Sequence, residues 1–252
     1  MSMNARPAAD WSALIQPGAR DGLGLSVGYA LADWRGAIWP PPRALEGRWC
    51  RLEALDVGRH GEALFAHLHA DEDGANWTYM NQGPFANQGD FLSWLAGVAI
   101  GGTAFYYAIV DMGSGAALGL AAYMNVEADA GCLEVGGLHF SAAMRRGRLA
   151  TEALYLLLRQ AFELGFRRCE WRCDAHNAAS VRAALRLGFV FECLWRKRRV
   201  SKGRNRDAAC FSLLDGEWPA RGRALEAWLH PANFDRYGAQ RRRLAEFAGE
   251  SG

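Results

Sequence analysis

The 252-residue sequence predicts a mixed α/β fold, one domain with peripheral additions, and three observations carry that prediction. Segments with the two-residue period of strands alternate with segments showing the three-and-four spacing of amphipathic helices. Across residues 132–166 a strand runs through a short basic loop into such a helix. No internal repeat and no low-complexity linker interrupts the order.

Composition narrows the class. With 50% hydrophobic and 22% charged residues the chain reads as a soluble globular protein, which excludes disordered and fibrous types. The formal charge of +2 argues against wholesale nucleic-acid binding. There is no apolar run of about 18 residues and no apolar signal core at the N-terminus, so no membrane partner and a cytoplasmic location are expected. The cysteines are scattered, and Cys169 and Cys173 lack the two-residue spacing of a zinc knuckle, so no metal is expected.

Residues 1–44, rich in Gly, Pro and Ala, read as an irregular N-terminal arm laid on the core by Trp11, Trp34 and Trp39. A short strand is predicted at 49–53, followed by a helix over 57–69 capped by Asp56 with Leu64, Phe65 and Leu68 on its apolar side. A second helix starts behind Asp90 and buries Phe91, Leu95 and Val98. Between those helices Trp77 and Tyr79 sit in an aromatic loop, a position that suits either a core plug or a ligand contact. Residues 105–111 and 116–126 form an antiparallel hairpin, and the strand 132–140 follows it.

The helix after the basic loop starts near Leu149, repeats Leu154, Leu157, Leu158 and Ala161 on one face, and stops at Gly165. Its unpaired first-turn N–H groups, the helix dipole and Arg145, Arg146 and Arg148 make a seat for a pyrophosphate. Strand 168–173 alternates Cys169, Trp171 and Cys173 with Arg168, Glu170 and Arg172. Asn177 caps a helix that ends at Gly188, and strands 189–196 and 208–214 are joined by a basic segment, 197–207. The tail, 218–252, is a helical extension packed on the domain, with a helix to about Leu229 and a last one over 240–247.

The motif Glu134-Val135-Gly136, the loop and helix from Arg145 ending in Ala-Thr-Glu-Ala-Leu, Asn177 with Ser180, and Leu187-Gly188-Phe189 occur in a telling order of elements. Through them residues 45–217 resemble the Gcn5-related N-acetyltransferase superfamily, and within it the branch of ribosomal-protein N-terminal acetyltransferases. The resemblance implies a mostly antiparallel central sheet with a splayed parallel strand pair and flanking helices. It implies acetyl-CoA as co-substrate and an amine acceptor, a small molecule or a protein N-terminus. The pantetheine arm would pair with the backbone of Leu138, His139 and Phe140, and the pyrophosphate would sit on the N–H groups of Arg146, Gly147, Arg148, Leu149 and Ala150, with Arg145 and Thr151 as further cofactor contacts. Asn177 would hold the far side of the arm.

For the chemistry, the resemblance implies Glu134 as base, while Ser180 or solvent is the candidate to protonate the leaving thiolate. Trp77 and Tyr79 are candidate acceptor contacts. A bulge at Gly136-Gly137 would turn backbone N–H groups toward the carbonyl. Two positions depart from the family pattern: Arg148 stands where the loop has Gly, and Ala184 where many members carry Tyr. The basic run from Arg196 to Arg206 reads either as a solvated hairpin or as a guide for an acidic acceptor or a ribosomal surface. Two rival readings stay open, a non-catalytic acyl-CoA-binding module and a ribosome- or RNA-associated protein; a homodimer is compatible with either.

Overall fold

The computed structural model describes residues 15, 18–71, 73–100 and 104–249. The chain divides into two compact units, 1–35 and 36–252. In the first, β1 (Ala19–Arg20) and β2 (Ser26–Val27) pair antiparallel around a turn in which Asp21 accepts from the N–H groups of Leu23 and Leu25. Trp11 lies outside the described residues.

The second unit begins earlier than the expected boundary at 44. Ala37 N donates to Ala128 O and Ile38 N to Leu164 O, which ties this segment into the domain. Trp39 is 58% exposed, against the expectation that it lies on the core.

An eight-stranded sheet organises this unit, in the order β3 (Leu45–Glu46), β4 (Cys50–Ala54), β5 (Ala104–Asp111), β6 (Ala117–Glu127), β7 (Cys132–Phe140), β8 (Arg168–Asp174), β10 (Arg204–Leu214), β9 (Val190–Ser201). Every neighbouring pair is antiparallel except β7 and β8. Helices cover both faces, so β5 is apolar on both sides: Tyr107 and Ile109 join one core, Ala108 and Val110 the other. On one face α1 (Val57–Leu68) and α2 (Gln88–Ile100) bury Leu64, Leu68, Phe91 and Leu95. On the other face α3 (Arg148–Glu163) contributes Leu154, Leu157, Leu158 and Ala161, the set its spacing predicts.

Local signals set the helix ends. Asp56 caps α1 by accepting from Arg59 N. Asn177 caps α4 (Ala178–Leu187), and Gly188 closes it at φ 97°, a left-handed conformation in which Gly carries no Cβ penalty. Helix α2 starts ahead of the expected Asp90, because Asn87 Oδ1 takes the Asp90 N–H and serves as the cap. The helix α5 (Trp218–Leu229) packs against α3. The last helix, α6, spans only Leu244–Ala248, because Gln240 accepts from Trp228 Nε1 and Arg241 N donates to Asn233 O, which holds those residues out of helical form.

The basic segment expected as a connection is instead the distal half of a β-hairpin, in which β9 and β10 continue to Ser201 and Arg204 around Lys202-Gly203. Its residues are mostly exposed, so no apolar alternation announces the strands. No described helix is long and apolar enough to cross a membrane.

Candidate active site

The two central parallel strands part company early. β7 pairs with β8 at Cys132↔Arg168, Leu133↔Cys169 and Glu134↔Glu170 and no further, so from Val135 onward the backbone of β7 is open on that side. On its other side the register with β6 shifts: Ala122 faces Gly136 and Leu120 faces His139, which puts a bulge at Gly137-Leu138. Gly137 sits at φ 60°, and a Cβ there would lie 2.7 Å from Tyr106 Cε1, so glycine is required both for the turn and for the close approach.

A cleft of about 410 Å³ occupies the opening, and Glu134, Leu138, Asn177, Ser180 and Tyr79 all line it. The Glu134 side chain, 7% exposed as a residue, is fixed through one oxygen. Its Oε2 accepts from Arg172 Nε at 2.8 Å, from Arg172 Nη2, and from Asn125 Nδ2 at 2.7 Å. Asn125 reaches it from a left-handed position (φ 47°) in the irregular stretch of β6 between Met124 and Glu127. Oε1 lies toward Gly136, which also lines the cleft.

Ser180 and Asn177 enter from the start of α4. Trp171 Nε1 donates to Ser180 Oγ at 3.0 Å, and Ser180 N donates to Asn177 Oδ1 at 3.1 Å. The Asn177 cap therefore uses the carbonyl oxygen and leaves the amide N–H₂ for another partner. Tyr79 is 39% exposed, and its hydroxyl donates to His176 O at 3.0 Å.

The side chains of three expected residues are engaged elsewhere. Trp77 is 1% exposed and donates to Leu68 O, among Phe85, Phe91 and Trp94: it is a core plug, which corrects the acceptor role expected for it. The His139 ring is buried edge-on against Trp77 at 4.2 Å, so only its backbone lies along the open strand. Burial holds that imidazole neutral, with its pKa pushed down to about 3. The Thr151 hydroxyl donates to Gly147 O and accepts from Arg186 Nη1, which ties its side chain into the fold.

The basic loop leads into a helix start with open backbone donors. Helix α3 begins at Arg148 behind Gly147, which offers no side-chain cap, so the N–H groups of Arg148, Leu149 and Ala150 are unsatisfied by the helix itself. Arg146 stands exposed at φ 58°. Arg145 is anchored by Nε to Phe140 O, with a longer contact to Asp71. The Arg148 guanidinium stacks on Trp49, 3.7 Å from the ring centre, with Phe234 beyond. Its side chain is thereby held against those rings.

The cleft also holds Tyr106, Arg172 and Trp195, which the sequence did not single out as site residues, and part of the basic run that it did. Tyr106 faces Glu134, and its hydroxyl pKa is raised by burial and by the Glu134 charge. Arg172 was visible as the charged face of β8, but its pairing with Glu134 depends on register across a parallel pair that local spacing does not encode. Trp195, Arg198, Arg199 and Arg206 come in on the β9–β10 hairpin.

A family model for the acetyltransferase (GNAT) domain matches residues 51–190. The structure is similar to that of a GCN5-related N-acetyltransferase from Brucella melitensis, with 39% identity over 87% of this chain and 100% of that one and a TM-score of 0.85. A GNAT-family protein from Chromobacterium violaceum is 46% identical over 77% of this chain and 98% of that one, with a TM-score of 0.73. The microcin C7 self-immunity acetyltransferase MccE, solved with acetyl-CoA and AMP, shares the fold at 19% identity over 67% of this chain and 93% of that one, with a TM-score of 0.58. No curated protein matches.

Proposed function

The chain belongs to the GNAT acetyltransferase family, and on that premise we propose that it transfers the acetyl group of acetyl-CoA to a primary amine by direct attack within a ternary complex. The observation that carries the reading is the parting of β7 and β8 after Glu134↔Glu170, which opens a cleft beside an unpaired strand edge. That edge, at Leu138, His139 and Phe140, can take an extended amide chain as an added strand. The first-turn N–H groups of α3 and the exposed Arg146 suit a pyrophosphate, and the Asn177 amide suits a carbonyl of the arm. Acetyl-CoA supplies an activated acyl carbon and a sulfur leaving group.

The protein's own part is proton handling and positioning. Glu134 Oε1, held still because Arg172 and Asn125 grip Oε2, takes the proton of the attacking ammonium directly or through a water. The nitrogen then bonds to the acyl carbon as the carbon–sulfur bond breaks. Ser180 Oγ accepts from Trp171, and its hydroxyl relays the second proton shed by the nitrogen to the departing sulfur, which leaves the amide and the free CoA thiol. Backbone N–H groups at the Gly137 bulge are turned toward the acyl oxygen. The acceptor class extends to small amines and to protein N-termini such as those of ribosomal proteins, and the compartment is cytoplasmic.

The test is Glu134→Gln. Thiol release from acetyl-CoA with an amine panel should fall about 100-fold or more, while thermal stabilisation by CoA is unchanged. Wild-type turnover in the variant would remove Glu134 as the base.

A further inference from the structure

The acceptor end of the cleft carries an imbalance of charge. Four guanidinium groups line it, from Arg172, Arg198, Arg199 and Arg206, against two carboxylates, Glu134 and Asp174. Both carboxylates are engaged: Glu134 with Arg172, and Asp174 with Arg206 at 3.7 Å. Among the described residues neither Arg198 nor Arg199 has a carboxylate within ion-pair distance, and Arg198 rests over Trp195 at 5.2 Å, with Arg172 at 5.3 Å from the same ring.

The sheet puts both arginines there by a local irregularity. Neighbours on a regular strand point to opposite faces, which would send one of the two away. Here Arg206 faces Arg199 but Ala208 faces Trp195, so three residues of β9 oppose one of β10. Lys197 takes φ 52° inside this bulge, and Asp207 fixes it by accepting from Lys197 N at 2.7 Å. Bulges re-aim side chains, and this one leaves Arg198 and Arg199 both lining the cleft. The wall opposite is tied to the same hairpin, through Lys202 Nζ to Trp77 O and Arg206 Nη1 to Asn81 Oδ1.

We propose that the acceptor is an amine that also carries an oxyanion, a carboxylate or a phosphate, gripped by Arg198 and Arg199 while its amino group lies toward Glu134. Paired guanidiniums match the oxygens of such groups geometrically, and a cleft that is positive after its internal pairs are counted attracts them. This inference rests on the transferase reading, but it can fail separately.

The experiment titrates the full chain, in the presence of CoA, with matched amines: O-phosphoethanolamine against ethanolamine, and 4-aminobutyrate against n-butylamine. At least one anionic amine should bind about tenfold or more tighter than its neutral partner, and which pair does so tells phosphate from carboxylate. Arg198→Gln with Arg199→Gln should erase that difference while leaving the neutral amines unchanged. Arg196→Gln with Arg204→Gln, the same charge change on the same hairpin outside the cleft, should preserve it. Equal binding of charged and neutral amines, binding of neither, or loss of selectivity in both double variants overturns the proposal. Thiol release with acetyl-CoA is read alongside: selective binding without release sinks the transferase reading and leaves this one standing, and equal release from neutral amines does the reverse.

Discussion

Glu134 shows how a single side chain can be recognised in sequence while its working arrangement is not. Its place in Glu134-Val135-Gly136 marks it, but the grip on Oε2 comes from Arg172 on the neighbouring parallel strand and from Asn125 at a left-handed position in β6. Trp77 teaches the opposite lesson: an aromatic loop residue suits a ligand contact on paper, yet it fills the core and holds His139 against it. His139 yields a pH prediction. Its folded-state pKa of about 3 lies below the ordinary 6.5, because burial disfavours the imidazolium. Between those values the unfolded chain binds more protons than the folded one, so His139 destabilises the fold progressively as pH falls from 6.5 toward 3. His139→Phe keeps a ring against Trp77 and removes the titration. Urea midpoints at neutral and mildly acid pH should therefore fall less in the variant than in the wild type, and parallel falls would contradict this account.

At the scale of elements, the Ala-Thr-Glu-Ala-Leu run that carries much of the family resemblance has a structural task at its centre. Glu152 is 4% exposed on α3 and accepts from the N–H groups of Arg48, Trp49 and Cys50 at 2.8, 2.6 and 2.7 Å. One carboxylate thus ties α3 to the turn that enters β4, and places the first turn of α3 relative to the sheet. Glu152→Ala leaves those donors without their acceptor and should cost roughly 3 kcal/mol or more, read from the denaturant midpoint. A loss under about 1 kcal/mol would show the contact to be incidental. Helices were legible in the sequence wherever their signals are local, as at Asp56, Asn177 and Gly188. The distal β9–β10 hairpin was not, because an edge hairpin exposed on both faces has no apolar period, and its bulge is set by Asp207 reaching across strands.

For the whole molecule, the sheet order follows from chain order except at one place. Consecutive strands pair antiparallel from β3 to β7, then α3 crosses over to lay β8 parallel beside β7, and the β9–β10 hairpin closes with its second strand inward. The cleft lies where that parallel pair fails to continue, so among the described residues the one strand pair that cannot be joined by a tight turn is also the one that opens. The order of elements was readable from periodicity, and the strand splay was readable only through family resemblance, since no residue in β7 or β8 announces where pairing ends. Whether this opening receives acetyl-CoA is decided by a crystal structure of the full chain with CoA. The account predicts the pantetheine arm hydrogen-bonded along the backbone of residues 138–140 and the pyrophosphate on the N–H groups at the start of α3. CoA bound away from the β7–β8 opening, for example along the outer edge of β9, would contradict it.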